Sequence, residues 1–269
     1  MRLPLPRSLT NYLGRGLFRF LVTLHGLGAF ALITLGVMIT RFRAARQVIG
    51  PRVLQEAARA GWRLLPMFLF VSAALGLVVI GQTVSWLTRV GAINYLGTVM
   101  VVVVVRELGP LVTALLVLAR IGTANVIELG TARAMGEVEA LEALGIDPVH
   151  YLVVPRVKAL AVSVFCLTMY AIVVATVSGY LFAFLQDVPL RPEAYFEQLT
   201  AALRWQDFVL LALKTAAFGA VIAVVNCYHG LARPLSIDQV SHVTARAVVE
   251  SVVGIVLIDA LFLVGYQFV

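Results

Sequence analysis

Five long apolar stretches run along the chain, separated by shorter polar segments. A bilayer-crossing helix needs about 20 consecutive apolar residues, and each stretch reaches that length. The stretches are Leu64–Trp86, Leu96–Leu118, Leu152–Leu185, Phe208–Tyr228 and Val248–Val269. The pattern therefore predicts an all-α membrane protein with five transmembrane helices.

An earlier apolar stretch, Leu17–Thr40, has arginines on both sides. Since basic residues favour the cytoplasmic side, neither flank is suited to the outside. A helix lying in the cytoplasmic interface satisfies both flanks, which a sixth span would not. We predict an in-plane helix there, within an N-terminal region of residues 1–62 that precedes a transmembrane domain of residues 63–269.

Composition agrees with a membrane protein, because 61% of the residues are hydrophobic and only 13% are charged. Soluble chains are about a quarter charged. The net charge of +7 would suggest nucleic acid in a soluble protein. Here the arginines cluster at span ends, mostly on one side, which predicts a cytoplasmic N-terminus, an outer C-terminus and no nucleic-acid partner.

Two adjacent charges, Arg106 and Glu107, interrupt the second span. A charge at the bilayer centre costs about 2.5–3.5 kcal/mol, so both need pairing or a wet cavity. Pro110 also frees the carbonyl one turn earlier, near Arg106. The pair is typical either of the wall of a polar cavity or of an ion pair that holds two spans together.

Other charges lie in the later spans. We hypothesise that Lys214 approaches Glu107 and, with Arg106, forms a cationic site for an anionic headgroup; alternatively, Lys214 extends to the outer membrane surface. Glu250 and Asp259 in the last span suit hydrogen bonds between helices, or a proton relay.

Two polar segments carry further helices. Between the second and third spans, the pattern predicts two short helices separated near Gly136, the second with Val138, Leu141 and Leu144 on one face and Glu137, Glu139 and Glu142 elsewhere. It could dock on another protein or simply lie at the membrane surface. The outer segment 186–205 suggests a short amphipathic helix or a solvated connector.

Catalytic motifs are absent from the sequence. It contains no G-x-x-x-x-G-K-[ST] phosphate loop, no H-E-x-x-H, no C-x-x-C and no G-x-S-x-G. We therefore expect no catalytic residue, no metal site and no cofactor in this chain.

Several motifs together carry a family resemblance. They are Arg-Glu-Leu-Gly-Pro from Arg106, Ala119-Arg120, Glu128-Leu129-Gly130, Gly145-Ile146-Asp147-Pro148 and Pro155-Arg156. With Gly81-Gln82 and Asp259, this set resembles the MlaE/YrbE permeases, the membrane subunits of ABC-type lipid transporters that work with MCE proteins. The resemblance covers roughly residue 76 to the C-terminus.

The resemblance implies a homodimeric permease of the bacterial inner membrane that carries phospholipid between the inner and outer membranes. It implies a cytoplasmic ABC ATPase that binds ATP and Mg²⁺, a periplasmic MCE-domain protein and, in some relatives, a STAS-domain protein. Implied substrate-binding residues are Arg106, Glu107, Lys214 and Gln82. Implied ATPase-coupling residues, within about 122–148, are Arg133, Glu137, Glu139, Glu142 and Asp147.

Two rival functions stay open from the sequence. One is a secondary transporter of an amphiphile, driven by protons through Glu107, Glu250 and Asp259. It would have no ATPase, but the sequence lacks an inverted repeat with paired broken helices. The other is a membrane scaffold that does not transport, which leaves the intramembrane Arg-Glu pair without a purpose.

Overall fold

The computed structural model describes residues 25–40, 46–185, 192–231 and 237–266, and every regular element in these ranges is helical. The helices are α1 (His25–Thr40), α2 (Arg46–Gly61), α3 (Leu65–Val90), α4 (Leu96–Ala134), α5 (Glu137–Ala143), α6 (Val149–Leu185), α7 (Pro192–Ala202), α8 (Trp205–Leu231) and α9 (Ile237–Gly265). The predicted all-α class is confirmed.

Five of these helices are long and apolar enough to cross a membrane, as predicted: α3, which continues α2 through a tight turn, then α4, α6, α8 and α9. The sixteen-residue α1 is apolar but short. It agrees with the N-terminal helix predicted over Leu17–Thr40, of which residues 17–24 lie outside the described ranges; the in-plane position of this helix stays a prediction.

The second span is longer than predicted. We expected it to end at Leu118 and two short helices to follow, but α4 continues without a break to Ala134. The reason is that its last turns keep an apolar buried face, with Val126, Leu129 and Gly130 packed into the bundle. Only the second predicted short helix is separate, as α5. The break lies at Gly136, whose φ of 78° is a left-handed conformation that favours glycine.

Helix α6 packs against α2, α3 and α8 and forms the centre of the bundle. Small residues permit this close packing: a Cβ at Gly76 of α3 would overlap the Ala175 carbonyl of α6, and one at Gly219 of α8 would overlap the Leu160 carbonyl. The chain alternates direction between spans, so one end of the bundle carries α5 and the other carries α7.

The predicted amphipathic helix of the outer segment exists as α7. Its Tyr195 is buried against Tyr180, and its hydroxyl donates a hydrogen bond to the Thr176 carbonyl at 3.4 Å. Burial raises the pKa of the Tyr195 phenol above its usual range. The segment is therefore docked on the bundle, and the alternative of a solvated connector is wrong for residues 192–202.

Candidate functional site

Helix α4 is irregular where the sequence places its charges. Residues Val101–Leu108 form a wide π-helical segment, directly before Gly109 and Pro110. Pro110 has no N–H to donate to the Arg106 carbonyl one turn earlier. That oxygen instead accepts a hydrogen bond from Lys214 Nζ of α8 at 2.8 Å. The predicted free carbonyl is thus used to join two spans.

Lys214 is the most deeply buried charge of this region, with 0% of its side chain exposed. Its Nζ donates to Glu107 Oε2 at 3.0 Å. It also lies 2.7 Å from Asp259 Oδ1, an ion pair whose angles are not those of a hydrogen bond. The predicted approach of Lys214 to Glu107 is confirmed, and the alternative that Lys214 extends to the membrane surface is wrong.

Arg106 pairs with a residue that the sequence did not single out, Asp207 at the start of α8. The two are 2.9 Å apart at Nε and Oδ1, and Nη2 donates to Oδ2 at 3.3 Å. Asp207 lies in the first turn of α8 and also accepts a hydrogen bond from the Arg204 N–H, just before the helix, at 3.0 Å, as in a capping box. An acid in the first turn of a helix is so common that it carries no functional signal. Only the partner on α4 distinguishes it.

These five residues form what we call the Lys214 cluster: Arg106, Glu107, Asp207, Lys214 and Asp259. Three carboxylates face two cations, so the cluster is net negative when all are ionised. The side chains of Arg106 and Glu107 are 25% and 27% exposed, whereas Lys214 is enclosed. The Tyr266 ring lies 5.3 Å from the Arg106 guanidinium carbon. The ion-pair interpretation is confirmed, because each charge bonds α4 to α8. The interpretation as the wall of a polar cavity stays a prediction.

Glu250 does not belong to this cluster. It bonds to His229 Nε2 at 2.7 Å, and nine residues of α9, about 13 Å of helix, separate it from Asp259. It lines a cavity of about 520 Å³ between α1, α8 and α9 whose other walls are almost wholly apolar. The three acids proposed for a proton relay are thus divided between two places.

Gln82 also lies apart. It is an exposed residue of α3, and no hydrogen bond or ion pair between described residues joins it to the Lys214 cluster. Its assignment to substrate binding rests on the resemblance alone and stays a prediction.

The proposed coupling residues fall into two groups. Glu137 and Glu142 are exposed on α5, and Glu139 is exposed but lies 3.6 Å from Arg133. Arg133 also donates to the Leu231 carbonyl at the end of α8, and Asp147 accepts from the Val149 N–H at the start of α6 at 3.0 Å. Arg133 and Asp147 therefore hold the turn in place, while Glu137 and Glu142 face outwards.

The apolar face predicted for α5 is only partly buried. Val138 is packed into the bundle, but Leu144, directly after the helix, is exposed, and so is Met135, which precedes the helix. Helix α5 has only seven residues, and Val138 is its one buried side chain. The exposed Leu144 and Met135 leave apolar surface next to Glu137 and Glu142.

Comparisons with known proteins agree with this architecture. A family profile described as "Permease MlaE" matches residues 53–264. The chain is 33% identical over 208 residues to the Arabidopsis thaliana protein Trigalactosyldiacylglycerol 1, chloroplastic, covering 77% of this chain and 59% of the plant protein. It is 28% identical over 249 residues to a probable ABC transporter permease protein of Rickettsia typhi, covering 91% and 92%. A Rickettsia prowazekii protein of the same description is 30% identical over 199 residues, covering 74% and 76%.

Proposed function

Because the chain belongs to the MlaE permease family, we propose that it is the membrane permease subunit of an ABC-type phospholipid transporter. The observation that carries this proposal is the Lys214 cluster, a partly open group of five charges among membrane-length apolar helices. Burying charges in a membrane costs so much free energy that each one needs an oppositely charged partner. The exposed residues of this cluster suit a charged headgroup. The names of the rickettsial relatives support an ABC-type system.

The roles within the cluster follow from exposure. Arg106 and Glu107 are each about a quarter exposed, so they contact the lipid headgroup. The Arg106 guanidinium binds the phosphate, and the Glu107 carboxylate binds any cationic part of the headgroup. Lys214 has no exposed surface. It is a positioning residue that fixes Glu107 and the π-helical segment of α4. Gln82 is the remaining proposed contact.

Energy for transport comes from a separate ATPase. ATP and Mg²⁺ bind to that ATPase, and this chain itself holds no cofactor. Helix α5 is the docking element, because Glu137 and Glu142 are exposed beside the apolar Met135 and Leu144. Exposed acidic groups near exposed apolar side chains suit a partner groove that has both basic and apolar residues. A STAS-domain protein would bind that ATPase.

The arrangement of the partners follows from the orientation that the arginine distribution predicts. We place the chain in the bacterial inner membrane with its N-terminus and α5 in the cytoplasm, and the C-terminus and α7 in the periplasm, where an MCE-domain protein receives or delivers lipid on its way between the two membranes. A second copy completes the transport cavity. Helix α9 supports pairing, because only 17% of its most apolar stretch is buried within one chain, against 28% for α3 and 44–50% for α4, α6 and α8.

The deciding experiment is purification of the full chain in a mild detergent, with mass spectrometry of the bound proteins and lipids. The test variant is Glu137→Lys with Glu142→Lys. The matched control is Glu193→Lys with Glu197→Lys, the same charge change on exposed residues of α7. We expect wild type and control to retain a protein that hydrolyses ATP with Mg²⁺, and the test variant to lose it.

Lipid content tests the other half of the proposal. Phospholipid should remain with wild type and be depleted in Arg106→Gln. If no ATP-hydrolysing partner is retained by any version, and transport in cells collapses with an uncoupler, the proton-driven alternative replaces this proposal. If ATP hydrolysis is present but no lipid is moved in reconstituted vesicles, the chain is a scaffold.

A further inference from the structure

A second polar pocket lies at the α5 end of the bundle, far from the Lys214 cluster. Its volume is about 290 Å³, and α2, α4 and α6 form its walls. Glu128 of α4 lines it, 22 residues beyond Arg106 on the same helix, which corresponds to about 30 Å. The other charged or phenolic lining residues are Arg52, Glu56, Arg59, Tyr151 and Arg156.

Arg156 forms the floor of this pocket and has unused hydrogen-bonding capacity. Its side chain is only 5% exposed, and Nη2 donates to Glu128 Oε1 at 2.8 Å. Its Nε lies 3.6 Å from Glu56 Oε1, beyond hydrogen-bonding distance. Neither Nε nor Nη1 has a hydrogen-bond acceptor among the described residues. Buried donors without acceptors are costly, so an additional acceptor would stabilise this guanidinium.

Two further arginines make the pocket positively charged. Arg59 donates to Glu128 Oε2 at 2.9 Å, so it shares the carboxylate that Arg156 also uses. Arg52 has no carboxylate contact among the described residues; it donates to the Tyr151 hydroxyl and lies over that ring at 3.8 Å. Three arginines against two glutamates leave an excess of one positive charge. A ligand that balances the pocket is therefore an anion.

The surroundings place the pocket at the level of lipid headgroups. Leu54 is exposed on α2, and Trp62, in the turn between α2 and α3, is 78% exposed. Exposed tryptophan beside basic residues is typical of the membrane–water interface. Arginine guanidinium groups bind phosphate oxygens through paired hydrogen bonds.

From these observations we infer that the pocket of Arg52, Arg59 and Arg156 binds a phosphate group, from an anionic lipid headgroup or from a soluble phosphate. This goes beyond the proposed function, because the pocket lies at the opposite end of the bundle from the proposed transport site. A phosphate bound by these three arginines contacts α2 and α6 together, and so stabilises α2 against the span that follows α5.

The test uses the full chain in a neutral detergent and three probes: dioleoyl phosphatidic acid, dioleoylglycerol, which lacks the phosphate, and inorganic phosphate. Lipid dissociation constants are measured by native mass spectrometry, and inorganic phosphate by the shift in Tm. Arg52→Gln is the main variant, because it leaves every ion pair of the pocket intact and so should fold. Arg156→Gln is the second variant. Arg63→Gln is the control, an equal loss of charge at an exposed arginine outside the pocket.

We expect phosphatidic acid to bind wild type and Arg63→Gln equally and Arg52→Gln about tenfold more weakly, since one charge-assisted hydrogen bond is lost. If inorganic phosphate also raises the Tm of wild type but not of Arg52→Gln, the source is soluble; if only the lipid binds, the source is a headgroup. Equal binding of phosphatidic acid to wild type and Arg52→Gln overturns the inference, as does equally tight binding of dioleoylglycerol. ATPase capture and lipid transport play no part in this readout.

Discussion

Replacing Lys214 with methionine tests the energetics of the Lys214 cluster most directly. Lys214→Met keeps the length and apolar stem of the side chain but removes the ammonium. Glu107 and Asp259 then lose their cation, at 3.0 Å and 2.7 Å, and the Arg106 carbonyl loses its donor at 2.8 Å. Breaking a buried ion pair on one side costs about 3–5 kcal/mol, because the remaining charge is left uncompensated. We expect a loss in that range.

The second half of the prediction is a double-mutant cycle with Glu107→Gln. This change removes one of the contacts of Lys214 but leaves Asp259 and the Arg106 carbonyl, and Glu107 is partly exposed. Its cost should therefore be smaller, about 1.5–3 kcal/mol. The double variant leaves one uncompensated carboxylate where Lys214→Met leaves two. It should be less destabilised than the sum of the single changes, by about 0.5–3 kcal/mol.

The assay is unfolding in a neutral detergent with increasing SDS mole fraction, followed by tryptophan fluorescence. Leu213→Met is the matched control, since it puts the same side chain on the adjacent, exposed position of α8, and it should change stability by less than about 1 kcal/mol. A cost for Lys214→Met no greater than that of the control would refute the buried network. Strict additivity in the cycle would refute the coupling between Lys214 and Glu107.

Three further predictions follow from helix packing and orientation. Gly76→Ala should destabilise the protein by about 1–3 kcal/mol in the same unfolding assay, because the added methyl group would meet a backbone carbonyl. The control Gly36→Ala has open space around it and should be neutral or slightly stabilising. Equal effects of the two substitutions would contradict the close packing at Gly76. Gly136→Val should destabilise α5 by more than Gly136→Asn does, because asparagine tolerates the left-handed conformation; faster proteolysis at this turn is the readout, and equal rates would argue against the strain. In a cysteine-free background, a membrane-impermeant maleimide added to intact spheroplasts should label Glu193→Cys and spare Glu142→Cys; the reverse pattern would invert the orientation.

The sequence could identify as site candidates those residues whose charge is costly to place in the lipid bilayer. Arg106, Glu107 and Lys214 stand in apolar runs, where any charge requires a partner, and the structure brings all three together. Asp207 was missed because it lies at the start of α8, where an acid is ordinary. The phosphate pocket was missed for a similar reason: its arginines lie near span ends, where the positive-inside rule already accounts for them.

The sequence by itself determined the helical class, the five spans and the separation of α5 at Gly136, because these depend on local quantities: apolar length, charge and the conformational freedom of glycine. Only the tertiary structure decided that α4 runs unbroken to Ala134, that Lys214 bonds to Glu107 and Asp259 together, and that Glu250 lies elsewhere. These depend on how the helices are rotated and placed against one another. Rotation is set by packing between residues far apart in the chain, which no local pattern contains.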